Sequence, residues 1–221
     1  MRKYFLIVIL ILVFTTITSC HNNDDLKVGS VISFGNYEWR VLDIYSDSTA
    51  LIIAENTIME RSFVDNLRNS NHHATWELSD LRTYLNSLFL ETFTEDELRR
   101  VLPRAIHTPD NEWYRVRGGN DTEDYVFLLS IEEILRYFDG NSQAWSPNPP
   151  LQSLRQWLID DQHNSERVAL DEEGSPVSWW LRSPGFDYDF IAIVMEDGSV
   201  AIYGTGAEDI RGVRPALILR L

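Results

Sequence analysis

Phe190-Ile191-Ala192-Ile193-Val194-Met195-Glu196, then Asp197-Gly198, then Ser199-Val200-Ala201-Ile202-Tyr203 is the stretch that decides the architecture. Two apolar, β-branched runs flank an Asp-Gly pair. Asp-Gly supplies the positive φ angles of a two-residue type I′ turn, so the segment reads as an antiparallel hairpin. Working outward, Val177 to Leu181 is a candidate strand before it, and Val213 to Leu219 a closing strand after it. Pro215 cannot donate to a ladder, which predicts an edge position or a bulge for that last strand.

The other end of the chain carries a second strand-rich block. Val28 to Phe34, Gly35-Asn36 and Tyr37 to Ile44 read as a hairpin, and Ala50 to Ala54 as a buried strand. Helices are expected between the two blocks. Leu78, Leu81, Leu85 and Leu88 recur at helical spacing. Thr94-Glu95-Asp96-Glu97 is a capping box that opens a second helix through Leu98 and Val101, ended by Pro103. His107 to Asp124 is polar and reads as a loop, and Tyr125 to Leu129 as a buried strand. Ser130-Ile131-Glu132-Glu133 is another capping box, opening a helix through Leu135 and Phe138 that stops at Gly140. Ser146 to Pro150 is a rigid loop, and Leu151, Leu154, Trp157 and Leu158 suggest one more helix. No internal repeat is present. Strands at both ends with helices between them predict a single α+β domain over residues 28–221 in which the terminal strands meet.

Ahead of this domain, Arg2 and Lys3 precede an apolar run from Tyr4 to Phe14, followed by Thr15-Thr16-Ile17-Thr18-Ser19-Cys20. That order is a secretory signal, too short to span a bilayer as a stable helix. Ile17-Thr18-Ser19-Cys20 looks like a bacterial lipobox. The expectation is a signal peptide over residues 1–19, lipid such as palmitate on Cys20, and a lipidated tether over residues 20–27. The mature protein would be a lipoprotein held on the extracytoplasmic side of the cell membrane, and two or more acyl chains would make that anchoring stable. Cys20 is the only cysteine. It cannot pair within its own chain, and once lipidated it leaves no thiol, which excludes cysteine catalysis, disulfide exchange and thiolate metal sites.

The chain has 221 residues, and loss of the signal leaves 202, enough for a sizeable core. Hydrophobic residues make up 44% and aromatic residues 12%, which points to a globular fold. The net charge of −15 becomes −17 once Arg2 and Lys3 are removed with the signal. Such a field repels phosphate backbones, so nucleic acid is excluded as a partner, while cations such as Ca²⁺ are attracted. Seven tryptophans are available to line a site that must meet both polar and apolar groups.

Trp179-Trp180-Leu181-Arg182-Ser183-Pro184-Gly185, the Asp197-Gly198 hairpin and Gly212-Val213-Arg214-Pro215-Ala216-Leu217 occur in that order. So do the earlier Tyr37-Glu38-Trp39-Arg40-Val41-Leu42, Thr75-Trp76-Glu77, Leu81-Arg82, Leu85-Asn86 and Phe127-Leu128-Leu129-Ser130. This ordered set resembles, from about Val28 onward, a bacterial extracellular family catalogued as domain of unknown function 6273. The terminal pattern also looks distantly like the C-type-lectin-like fold shared with formylglycine-generating enzymes. The resemblance implies that fold and no particular activity. Formylglycine-type oxidation needs reactive cysteines, and the related iron-dependent enzymes need a histidine cluster. The five histidines here, His21, His72, His73, His107 and His163, offer no helical i, i+4 pair. The chain also lacks the Glu-Pro-Asn, Gln-Pro-Asp and Trp-Asn-Asp segments of Ca²⁺-dependent sugar-binding lectins.

In a strand, Trp179 and Trp180 point to opposite faces, one into the core and the other toward a cleft. Arg182 and Arg214 are read as holding a carboxylate of the fold, with Glu77 as a candidate, or else a ligand carboxylate or sugar hydroxyls. Phe186-Asp187-Tyr188-Asp189 and Ala207-Glu208-Asp209 flank the same hairpin. Their carboxylates are either a solvated acidic rim or a Ca²⁺ site, with Tyr188 stacking on a sugar ring. No phosphate loop and no nucleophile elbow occurs. The expected function is therefore non-enzymatic binding of a glycan, peptide, surface protein or envelope component. The candidate contacts are Trp180, Arg182, Asp187, Tyr188, Asp189, Tyr203, Glu208 and Asp209, with no catalytic residue and no cofactor other than Ca²⁺. The alternatives are a hydrolase using carboxylates from the two acidic loops and a structural envelope protein.

Overall fold

The computed structural model describes residues 26–67, 74–138 and 158–221. The expected signal, Cys20, the adjacent His72 and His73, Gly140 and the proline-rich loop lie outside the described residues. So does most of the helix expected over Leu151 to Leu158.

In chain order the strands are β1 (Val31–Phe34), β2 (Tyr37–Tyr45), β3 (Thr49–Ala54) and β4 (Met59–Ser62). Two short helices follow, α1 (Asp80–Leu85) and α2 (Glu95–Leu98). Next come β5 (Val101–Leu102), β6 (Arg104–Ile106), β7 (Thr122–Asp124), β8 (Val126–Phe127) and helix α3 (Ile131–Phe138). Then β9 (Leu158–Ile159), α4 (Asn164–Arg167), β10 (Ala169–Leu170) and β11 (Pro176–Val177) lead to the C-terminal block. That block is β12 (Trp179–Pro184), β13 (Phe190–Val194), β14 (Val200–Gly206), β15 (Ile210–Val213) and β16 (Ala216–Arg220).

These strands form two six-stranded sheets. The first runs β1-β2-β3-β16-β5 with β8 also on β16, and the second runs β4-β15-β12-β13-β14-β9. Two-stranded ribbons, β6-β7 and β10-β11, complete the set. The architecture is α+β and predominantly strand. The expected meeting of the two ends is present: β16 pairs antiparallel with β3 from Ala216 opposite Ile53 to Arg220 opposite Thr49. Every residue of β3 is buried, in keeping with its continuous apolar run at the middle of a sheet. Buried side chains from both sheets form one contiguous core.

The C-terminal strand departs from expectation. Val213 to Leu219 is not one edge strand but the end of β15 and most of β16, which belong to different sheets. Pro215 marks the crossing, and its carbonyl accepts from Ala54 N–H at 2.8 Å. A residue without an N–H suits a point where the ladder is handed from one sheet to the other. The chain crosses a second time beside it, between β3 and β4. Arg214 clamps both crossings: Nε donates to Ala54 O and Nη2 to Glu55 O, each at 2.8 Å. Its guanidinium lies 5.0 Å from the Trp179 ring centroid and 5.4 Å from that of Phe138. Burial pulls the Arg214 pKa down to about 10, so it remains a cation at neutral pH.

The turns also differ in detail. At Gly35-Asn36 only Gly35 has positive φ (59°), which fits a type II′ turn between the paired Phe34 and Tyr37. At the 190–203 hairpin only Gly198 is positive (83°), so the turn is not type I′. Gly198 N–H donates to Met195 O and Met195 N–H to Ser199 O, closing a three-residue loop that ends in a left-handed glycine. A Cβ on Gly198 would sit 1.8 Å from Asn164 O, so the close approach of α4 also requires glycine there. The register of β13 and β14 shifts between Ile191 and Ile193, a bulge centred on the close approach of Gly204 to the Ile191 carbonyl.

The helical middle is shorter than its periodicity implied. Leu81 and Leu85 are buried, whereas Leu78 is 53% and Leu88 58% exposed, outside α1. The Thr94 capping box forms as read, but α2 ends at Leu98 and Val101 belongs to β5. The Ser130–Glu133 box is also present, with Ser130 N–H donating to Glu133 Oε2 and Glu133 N–H to Ser130 Oγ. Within the loop read from His107 to Asp124, residues 122–124 are strand β7. Leu158 is in strand β9, where a helix was expected.

Candidate functional site

Neither tandem tryptophan faces a cleft. Trp179 and Trp180 do alternate, but both are 0% exposed, because each face of β12 is covered. Trp179 Nε1 donates to Arg167 O at 3.1 Å, and Trp180 Nε1 to Arg61 O at 2.8 Å beside the Phe63 ring. Trp180 therefore belongs to the core.

Arg182 is 3% exposed and structural, as the carboxylate-holding reading expected, but its partner is Glu133 rather than Glu77. Its Nη1 also donates to Leu128 O at 2.6 Å and its Nη2 to His107 O at 2.8 Å. Glu77 instead accepts from Asn120 N–H and Nδ2 at 3.0 and 2.9 Å. Those bonds, helped by the nearby Arg82, hold its carboxyl below the usual range. Arg214 grips backbone carbonyls, not a carboxylate.

The two acidic loops touch through backbone, Ala207 N–H donating to Asp189 O at 2.8 Å. Their side chains do not converge. Asp187 Oδ1 accepts from Tyr188 N–H, and Glu208 Oε1 from Leu67 N–H. Asp209 accepts from Thr205 Oγ1, with Arg211 Nη2 at 3.4 Å. Among the described residues no three acidic, histidine or cysteine side chains are grouped as a metal site. Tyr188 is 54% exposed on this rim, and its carbonyl accepts from Ala74 N–H.

Tyr203 lines an open depression of about 480 Å³ on the second sheet. Ile193 and Met195 supply apolar wall, and Ser178, Glu196, Asp197, Thr205 and Arg211 supply polar groups. The wall is assembled by the hairpin and by the return of the chain through residues 207–209. That return brings Arg211 back across β14, its Nη2 3.2 Å from Thr205 Oγ1. Arg211 Nε is buried with no hydrogen-bond partner among the described residues. Hydrogen bonds from Ser199 Oγ and N–H keep the Asp197 carboxyl below its ordinary value, so it stays charged at the groove's end. The groove thus offers an aromatic ring, a short apolar strip, hydroxyls and charges of both signs, a mixture suited to holding a polar organic molecule by its face and edges.

Three further buried polar residues were missed. Asn111 lies in the loop between β6 and β7, 3% exposed. Its Nδ2 donates to Pro184 O, Gly185 O and Ile202 O at 2.8, 3.2 and 3.1 Å. Arg167, fully buried, donates to Gly198 O and to Asp161, fixing the hairpin turn against α4. Asp124, 1% exposed, accepts from Trp76 Nε1, Arg82 Nε and Thr122 Oγ1 at 2.8, 2.7 and 2.6 Å. The sequence carried no signal for these beyond a polar residue near an apolar run.

The described residues thus form an α+β structure whose second six-stranded sheet carries a mixed polar and apolar groove. The chain belongs to the family described as Domain of unknown function (DUF6273), whose model matches residues 47–221. The match leaves all of β1 and β2 outside, so it begins later than the resemblance read from about Val28. Comparison with curated proteins and comparison with solved structures each give no match.

Proposed function

We propose that this protein is a cell-surface lipoprotein whose C-type-lectin-like domain binds a glycan or a glycan-bearing envelope fragment without transforming it. The groove around Tyr203 carries this reading: an aromatic ring flanked by hydroxyls, an arginine and an aspartate is the set of groups that holds a sugar by stacking and by hydrogen bonds to its hydroxyls. Pairing of the N-terminal β3 with the C-terminal β16 supports the lectin-like element of the reading. Lipid on Cys20 would present the domain at the membrane surface. Among the described residues no helix is long and apolar enough to cross a membrane.

The test is an array of glycans and cell-wall fragments probed with the purified full chain, with Ca²⁺ and with chelator. Binding that survives chelation and weakens about tenfold in Tyr203→Ala, the worth of one stacked ring, supports the groove. Binding abolished by chelator would move the site to the Asp187–Asp189 and Glu208–Asp209 loops. No bound glycan or fragment would refute the reading. The anchor has its own check: unchanged membrane attachment and unchanged precursor size in Cys20→Ser would refute lipidation.

A further inference from the structure

A second groove, of about 280 Å³, lies where α3 and Arg182 meet β6 and its following loop, and it shares no lining residue with the Tyr203 groove. Its ionisable lining is Arg104, His107, Glu132, Glu133, Arg136 and Arg182. Two of these are taken up internally, since Glu133 pairs with Arg182 and accepts from Ser130 N–H. The remaining charges are not neutralised by each other. Arg104 donates to the Tyr45 hydroxyl and lies 6.0 Å from the ring centroids of Tyr45 and Phe127, with no carboxylate in ion-pair range among the described residues. Burial opposes its charge, but Tyr45, Glu133 and Tyr137 outweigh that and hold its pKa above the ordinary arginine value.

Glu132 and Arg136 stand one turn apart on α3, in the order that favours an i, i+4 ion pair. They do not form one: the carboxylate nearest Arg136 is Asp43, at 4.0 Å. Glu132 accepts no hydrogen bond from any described residue, and burial pushes its carboxyl above the usual range. A third observation comes from below the groove, where the Nε of the nearly inaccessible Arg182 has no hydrogen-bond partner among the described residues.

We propose that this groove binds a small zwitterion, a free amino acid, with its carboxylate on Arg104 and Arg136 and its ammonium on Glu132. A carboxylate alone would be repelled by Glu132, and an ammonium alone by the two arginines. Only a molecule carrying both satisfies the lining. The small volume suits a ligand of that size rather than a polymer.

The probe is glycine, which carries both charges and no side chain to clash, titrated calorimetrically into the purified full chain at pH 7 beside acetate and ethylamine. Saturable glycine binding is expected, with acetate and ethylamine at least about tenfold weaker and with Glu132→Gln and Arg136→Gln each weakening glycine about tenfold. Both substitutions fall on exposed side chains, and an unchanged melting temperature verifies folding. Tyr203→Ala leaves glycine binding intact, which separates this groove from the first. Absence of saturable glycine binding, equal binding of acetate, or parental affinity in both variants overturns the proposal.

Discussion

Replacing Asn111 by aspartate changes one NH₂ group for an oxygen and almost nothing in shape, yet it should be among the most damaging substitutions in the chain. The Nδ2 group faces three main-chain carbonyls, of Pro184, Gly185 and Ile202, while Oδ1 accepts from Trp113 N–H. Losing the donor removes hydrogen bonds worth about 1 kcal/mol each and strands desolvated acceptors at roughly 1–3 kcal/mol. A buried negative charge against those carbonyls adds to this, so the loss should be about 4 kcal/mol, a large part of an ordinary domain's stability. In a chain of this length that lowers the melting temperature by roughly 8–16 °C. Asn111→Leu also loses the donor but introduces no charge, and about 2 kcal/mol is expected for it. Urea denaturation at pH 7 followed by tryptophan fluorescence gives both values. The introduced carboxyl should have a folded pKa above its unfolded value. The charge part of the aspartate penalty should then be absent well below the unfolded pKa, grow as pH rises through it, and level off above the folded pKa. An Asn111→Asp protein no less stable than Asn111→Leu at pH 7, or one whose deficit does not shrink in acid, would refute this account.

Asp124→Ala should cost about 4 kcal/mol, because it removes the acceptor of three donors and leaves Arg82 and the buried Trp76 indole N–H without it; thermal denaturation reads this directly. Acid should destabilise the domain through carboxyls held below their ordinary values. Glu77 and Asp197 gain hydrogen bonds only on folding, so their contribution is complete above the unfolded pKa and is lost as pH falls through the lower folded pKa. A melting series from pH 6 to pH 3 should therefore decline below about pH 4.5, less steeply in Glu77→Gln. An equal decline in that variant would remove Glu77 from the explanation.

The two grooves differ in how far they could be foreseen. Tyr203 is an aromatic residue on the far strand of the clearest hairpin, and its strand position was legible. Arg211 and Ser178 were not, because they reach the same groove only after the chain has turned back through residues 207–209. For Arg182 a carboxylate of the fold was one of two readings its chemistry allowed, but Glu133 could be named as that partner only once α3 was packed against β12. Tandem tryptophans show the same limit. Their alternation follows from strand geometry, but whether either face is open depends on what covers β12, and both are covered.

The sequence by itself determined the local pieces: hairpins from apolar runs around Gly35 and Gly198, and α2 and α3 from their capping boxes. Each depends on interactions within a few residues, which composition and spacing encode directly. Tertiary structure alone decided that Pro215 is a passage between sheets, and that Arg214 pins two chain crossings far apart in sequence. It alone also decided that Asn111 ties a loop to the end of β12 and to β14. Those outcomes depend on which buried carbonyls lack partners once the sheets have formed, and no local pattern records that.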